Sequence, residues 1–159
     1  MRERYPEDQP YFEAVGPVTF SQINGRLIIH APHLGIDALE TRDVVKLYGN
    51  TRMEWLGRAD NVINSGSIKI HPEVVEKKLA TFIHRPFFIT GQKDRKYGQR
   101  VVLVIEKGKE GFEDPRLLQD LDDILDQYEK PKSTVWVDTM IYTTTGKINR
   151  KATCQHYRI

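Results

Sequence analysis

Short apolar runs separated by turn residues occupy the first third of the chain. Residues 18–21, 27–30, 44–48 and 53–56 have strand length and strand composition. Asn24-Gly25 sits between the first two runs, and both residue types tolerate positive φ, so a hairpin is predicted there. Residues 1–17 are polar, with Pro6, Pro10 and Pro17, and read as loop. No helix of ordinary length fits into the first 56 residues, which read as small β structure.

The period changes after a turn at Gly57. Residues 61–64 and 68–70 read as a strand pair around Ser65-Gly66. Pro72 stands where a first helical turn begins, a place that suits its fixed φ and missing N–H. Val74, Val75, Leu79 and Phe82 then fall on one helical face, with Glu73 and Lys77 as an i,i+4 pair. Strands are predicted at 87–90 and 101–106. A second helix follows from about 115 to 128, its buried stripe made of Leu117, Leu118, Leu121, Ile124, Leu125 and Tyr128. A strand at 135–137 precedes a Thr-rich loop at 143–145, then Gly146-Lys147 and a short terminal helix. The chain is therefore predicted to be α+β: a small β portion, then a compact α+β unit of about 100 residues with a short central antiparallel sheet flanked by helices.

Composition narrows the function classes. The chain has 159 residues, 39% apolar and 29% charged, which fits a soluble globular protein. No apolar run approaches the roughly 18 residues that a membrane span needs. Residues 1–10 are charged and lack the apolar core of a signal peptide. Cys154 is the single cysteine and cannot form an internal disulfide, so a reducing cytoplasm is the expected location. The formal charge is +2, from 24 basic and 22 acidic residues, without a basic stripe interleaved with aromatics. No nucleic-acid partner is expected.

Three stretches could carry chemistry. In Thr41-Arg42-Asp43, just before a predicted strand, both oxygens of Asp43 could accept from a ribose diol. Taken alone, the commoner reading of such an Asp is a turn residue that caps a loop. In the stretch from Gly57 to Gly66, Arg58 could bond ribose or phosphate oxygens, whereas an exposed Arg58–Asp60 pair would be worth under about 1 kcal/mol. In Thr143-Thr144-Thr145-Gly146-Lys147-Ile148-Asn149-Arg150, a lysine on a flexible Gly-Thr loop could swing toward a developing negative charge. The alternative is a solvated basic turn capping the last helix. A phosphate-binding P-loop is excluded, because Ile141 and Ile148 stand where that motif needs Gly and Ser or Thr. His30 and His33 lack the further ligands of a metal site, so no metal site is expected. Cys154 has no triad near it, and no Gly-x-Ser-x-Gly turn occurs.

The order and spacing of these stretches add what none carries alone. Thr41-Arg42-Asp43, Gly57-Arg58-x-Asp60 with Ser65-Gly66, Pro72-Glu73-Val74-Val75-Glu76 and Gly146-Lys147-Ile148-x-Arg150 together resemble the adenylate-forming superfamily, over nearly the whole chain. That superfamily contains acyl-CoA synthetases, luciferases and peptide-synthetase adenylation domains. The wording at residues 29–33 and 55–66 is most similar to the 2-succinylbenzoate–CoA ligases of menaquinone biosynthesis.

The resemblance implies that residues 1–56 are the last β part of a large AMP-binding domain, 57–60 a hinge, and 61–159 a mobile C-terminal lid. It implies that Asp43 holds the ribose and Arg58 the same nucleotide. Asp60 is then the hinge residue, Lys147 the catalytic cation, and Ser65 and Gly66 line the pantetheine path. ATP, Mg²⁺, CoA and a small carboxylic acid are the implied substrates and cofactors. The implied partner is the remainder of the large domain, whose phosphate loop this sequence lacks, so the chain alone is expected to turn over little. As such a part it should show an apolar patch or open strand edge near 27–30 and 44–48 and should self-associate. The competing expectations are a freestanding, non-catalytic lid-like binding module and a ligase for a different acid. Two departures stand out: Ser67 occupies a position where many relatives carry a second Gly, and Thr143 to Thr145 replaces the common Pro-Lys-Thr wording.

Overall fold

The computed structural model describes residues 11–107, 121 and 124–159. It divides into two compact units, Met1–Asp60 and Asn61–Ile159.

The first unit is one antiparallel sheet in the order β1-β5-β4-β3-β2. Its strands are β1 (Tyr11–Glu13), β2 (Thr19–Ile23), β3 (Arg26–Ala31), β4 (Ile36–Tyr48) and β5 (Arg52–Arg58). The predicted hairpin is present: Asn24 and Gly25 have φ of 53° and 81°, the mirror-image turn that matches strand twist. β1 lies within the stretch that reads as loop. Its three residues are all exposed and are held by pairing with β5, a tertiary contact that no local pattern announces. A 3₁₀ turn at Pro32–Leu34 joins β3 to β4.

The expected open edge is elsewhere. β3 and β4 are inner strands, and Leu27, Ile28 and Val45 are buried, because each strand has a partner on both sides. The sheet edges are β1 and β2, and the exposed apolar side chains are Tyr11, Phe12, Val15, Ile23, Leu34, Leu39 and Trp55.

The second unit has β6 (Ile63–Ser65), β7 (Ile68–Ile70), α1 (Pro72–Leu79), β8 (Phe87–Asp94), β9 (Gly98–Glu106), β10 (Ser133–Val137) and α2 (Arg150–Tyr157). β9 is its spine. Val101 to Ile105 are all buried, the continuous apolar run of a strand covered on both faces. On one face Val101, Leu103 and Ile105 pack with Val75 and Leu79 of α1 and with Leu121 and Leu125. On the other, Val102 and Val104 join Phe88, Val137 and Met140, with Cys154 and Tyr157 of α2 against them. Helices thus flank a central sheet, as predicted. The sheet is mixed rather than purely antiparallel: β10 runs parallel to β9, while β8 and β6 run antiparallel to it.

Pro72 opens α1 at its first position. Phe82, expected on the helical face, lies beyond the end of α1 and is exposed; Ile83 takes the buried place instead. No Glu73–Lys77 pair forms: Glu73 accepts from Asn61, and Lys77 is exposed. Most of the helix predicted at 115–128 lies outside the described residues. Of its described part, Leu121 and Leu125 are buried as expected. Tyr128 sits in a turn and is 55% exposed rather than part of the buried stripe. Among the described residues no helix is long and apolar enough to cross a membrane.

Candidate functional site

Two groups of predicted residues lie in different units. In the first unit the strand ladder does the positioning. Asp43 falls eight residues into β4 rather than before a strand, because β4 runs 13 residues from Ile36. Asp43 and Arg58 are direct cross-strand partners, which brings these two predicted residues together. Arg58 Nη1 stands 3.6 Å from Asp43 Oδ1, and Trp55 Nε1 donates to the same oxygen at 3.2 Å. Thr41 fixes the backbone beside them: its hydroxyl donates to the Leu27 carbonyl at 3.0 Å and accepts from the Asp43 N–H at 3.1 Å.

Arg58 does not pair with Asp60. Strand pairing aims it at Asp43, and Asp60 instead accepts from Arg42 Nη1 at 3.1 Å. Asp60 lies in a 3₁₀ turn, Ala59–Asn61, at the end of the first unit. Its side chain is 58% exposed and that of Arg42 69%, so their pair contributes under about 1 kcal/mol. The result is two separate charged pairs, Arg58–Asp43 and Arg42–Asp60, whose guanidiniums are equipped to bond hydroxyl and phosphate oxygens.

In the second unit, Ser65 ends β6 and Gly66 starts the turn to β7, where the Gly66 N–H donates to the Tyr97 carbonyl at 2.7 Å. This turn borders a cavity of about 350 Å³. Tyr97, Arg100, Tyr128 and Lys132 form much of the remaining wall. Tyr97 and Tyr128 expose their rings, and Arg100 is held by two bonds to Gln92 Oε1, at 3.0 and 2.6 Å. The chemistry of this wall suits a ligand that offers flat rings and phosphates. The sequence marks none of these four residues as a site residue, and it places Tyr128 in a buried stripe, since β9, the loop at Tyr97 and the segment at 128–132 meet only in the fold.

Lys147 is exposed at the end of a five-residue loop closed by the Tyr142–Ile148 bridge. The loop is not the loose tether expected from its Gly and Thr content. The Thr143 N–H donates to the Lys147 carbonyl at 2.7 Å, and the Gly146 N–H to the Thr143 carbonyl at 3.0 Å. The Thr143 hydroxyl accepts from the Lys147 N–H at 3.2 Å. Gly146 has φ of 78°, which an L side chain resists, so glycine is what lets the loop close. Among the described residues no carboxylate is within ion-pair distance of the Lys147 ammonium.

Immediately after the loop, Asn149 caps α2 by accepting from the Ala152 N–H at 3.1 Å. Arg150 reaches back to α1 and β8. Its Nη2 stands 2.7 Å from Glu76 Oε2, and its Nη1 donates to the Ile89 carbonyl at 3.1 Å. Burial pushes the Glu76 carboxyl above the usual range, and the Arg150 charge pulls against it. Sequence reasoning assigned no role to this pair. The available signal was Glu73 and Glu76 three apart on one helical face, a carboxylate pair awaiting a cation.

His30 is committed to structure: its Nε2 is 2.7 Å from the Ser21 hydroxyl and its Nδ1 2.6 Å from the Asp37 carbonyl. Burial pushes the Cys154 thiol up, away from nucleophilic use.

No protein-family model matches the chain. The acyl-CoA synthetase ALT10 of Alternaria alternata is 31% identical over 127 residues, which is 74% of this chain and 22% of that protein. This chain thus spans under a quarter of that relative's length. The solved structure of an acyl-CoA synthetase (AMP-forming)/AMP-acid ligase II-like protein from Dyadobacter fermentans aligns with a TM-score of 0.59 at 30% identity, over 96% of this chain and 45% of that one. The o-succinylbenzoate CoA synthetase of Bacillus subtilis, solved with its acyl-adenylate intermediate, aligns with a TM-score of 0.69 over 84% of this chain and 32% of that one. Its identity is 18%, so it speaks for the fold alone. The 31% identical relative and the 30% identical solved structure show kinship, over most of this chain and a part of theirs, with the AMP-forming acyl-CoA synthetases of the adenylate-forming superfamily.

Proposed function

We propose that this chain is the C-terminal part of an ATP-dependent acid–CoA ligase, with residues 1–56 from the large nucleotide-binding domain, 57–60 the hinge and 61–159 the lid. The observation that carries the reading is Lys147: an exposed ammonium without a carboxylate partner among the described residues, carried on a hydrogen-bonded loop. Such a group is free to meet an anion.

In the first half-reaction a carboxylate oxygen attacks the α-phosphorus of ATP, the α–β bridging bond breaks, and pyrophosphate leaves. Lys147 places its charge beside the α-phosphate and carboxylate oxygens. At about 4 Å and an effective dielectric of about 20, such a pair is worth about 4 kcal/mol. Asp43 accepts from the ribose hydroxyls, and Arg58, its cross-strand partner, bonds the same nucleotide. Mg²⁺ accompanies the phosphates. Among the described residues no three His, Cys, Asp or Glu side chains gather into a metal site, so no metal ligand is assigned to this chain.

In the second half-reaction the lid turns about Asp60 and the CoA thiol attacks the acyl carbon, releasing AMP. Ser65 and Gly66 line the path of the thiol arm. The adjoining cavity supports this role, because Tyr97 and Tyr128 offer stacking faces to an adenine, and Arg100 and Lys132 offer charge to phosphates.

The acid proposed is 2-succinylbenzoate, and the location is the cytoplasm. The similar wording at residues 29–33 and 55–66 supports the acid. ATP–pyrophosphate exchange tests both levels. It is measured on this chain alone and on the chain expressed with the coding sequence upstream of Met1, against a panel of acids. Exchange only in the longer protein, strongest with 2-succinylbenzoate, is expected. Robust exchange by the chain alone refutes the partial-enzyme reading, and preference for another acid refutes the substrate.

A further inference from the structure

Lys147 is exposed, its loop is short, and the ligase reading asks it to be delivered accurately. What fixes the base of the loop is therefore a functional question. Arg150 lies three residues beyond Lys147, at the first position of α2. Its side chain is 24% exposed, and it faces two carboxylates, Glu76 at 2.7 Å and Glu73 at 3.8 Å, both more deeply buried. Its guanidinium also lies 5.8 Å from the centroid of the Phe88 ring.

The arrangement has a backbone logic. Among the described residues β8 has one strand partner, β9, so its other edge lacks a strand. At Ile89 two side chains take the place of that strand. The Ile89 N–H donates to Glu76 Oε1 at 2.7 Å, and the Ile89 carbonyl accepts from Arg150 Nη1 at 3.1 Å. Glu76 and Arg150 then close on each other through Glu76 Oε2. The three groups form a ring of charge-assisted hydrogen bonds that ties α1, β8 and the start of α2 together. The network extends further. Glu73 Oε1 accepts from Asn61 Nδ2 at 2.5 Å, and Asn61 is the first residue of the second unit. One connected set of side chains therefore runs from the residue after Asp60, through Glu73 and Arg150, to the base of the Lys147 loop.

We infer that Arg150 is a positioning residue for Lys147, held by Glu76, Glu73 and the Ile89 carbonyl, so that the loop moves as one body with the start of its unit. This rests on the ligase reading given above. Lysine replaces it poorly, because two nitrogens of one planar guanidinium bond the Ile89 carbonyl and Glu76 Oε2 at the same time.

The test uses the full-length ligase that contains this chain, with the half-reactions measured separately. Arg150→Lys should lower kcat for adenylate formation about 10²-fold, the usual scale for a displacement of order 1 Å at a reacting group. Thioester formation from supplied acyl-adenylate should change less than threefold. Glu76→Gln keeps an acceptor for the Ile89 N–H but loses the charge, and should lower the same step about tenfold. Melting of both variants is followed alongside, so that loss of fold is recognised.

Equal loss in both half-reactions, tracking a fall in melting temperature, would overturn the inference. So would adenylation by Arg150→Lys within threefold of the parent. Lys147→Ala run in parallel separates the levels. If that variant adenylates normally, the ligase reading itself fails. If it fails to adenylate while Arg150→Lys adenylates normally, only the positioning role fails.

Discussion

Replacing Arg150 with methionine should expose the energetics of the α1–β8–α2 junction. Methionine keeps an apolar stem near Phe88 while removing the charge and all donors. Two groups lose their partner: Glu76 Oε2, at 2.7 Å, and the Ile89 carbonyl, at 3.1 Å. Truncating one side of a fully buried pair typically costs about 3–5 kcal/mol. Arg150 is 24% and Glu76 18% exposed, so water reaches both and the expected cost is about 2 kcal/mol.

The pH dependence provides a sharper signature. Burial already holds the Glu76 carboxyl above its ordinary value, and Arg150 opposes that rise. Without Arg150 the folded-state pKa climbs further. The folded chain then binds a proton that the unfolded chain has released, so stability falls as pH rises through that window. The deficit of the variant should be largest above the raised pKa and shrink as pH falls toward the usual carboxylate value. Urea titration at several pH values measures it. Trp136 packs against the main core of the second unit, and Trp55→Phe removes the other tryptophan. A deficit below about 0.5 kcal/mol, or one independent of pH between 4 and 8, would refute this account of the junction.

Three further outcomes are expected. Leu79→Ala, at a fully buried position in the last turn of α1, should destabilise the second unit by about 2–5 kcal/mol in the same titration. Burial lowers the His71 pKa, so protonation favours the unfolded chain and stability should fall as pH drops below the usual imidazole value toward the folded one. His71→Gln should flatten that part of the profile, read from thermal melts between pH 5 and 7.5. Replacing Arg100 and Lys132 together with alanine should raise KM for CoA about tenfold or more in the full-length ligase proposed above, with adenylate formation unchanged in pyrophosphate exchange.

Much of the fold could be read along the chain because its signals are local. The Asn24-Gly25 turn, the Pro72 helix start and the buried run at 101–105 each depend on neighbouring residues. β1 could not, since three exposed residues become a strand only through β5. Nor could the parallel pairing of β10 with β9, which joins segments well apart in sequence. The candidate residues follow the same division. Asp43, Arg58, Asp60 and Lys147 sit in recognisable motifs. Their partners were not legible: strand register turned Arg58 to Asp43 and left Asp60 to Arg42. The same limit hid the Arg150–Glu76 contact, which spans 74 residues of chain, and the hydrogen bonds that close the Lys147 loop.

The most direct measurement is adenylate production by Lys147→Ala in the full-length ligase proposed above, followed as acid-dependent pyrophosphate release, with thioester formation from supplied acyl-adenylate as the control. The account predicts that pyrophosphate release falls by about 10²–10³-fold while the control step proceeds. Release at the parent rate would contradict it, because no other exposed charge on this loop is placed to do the same work.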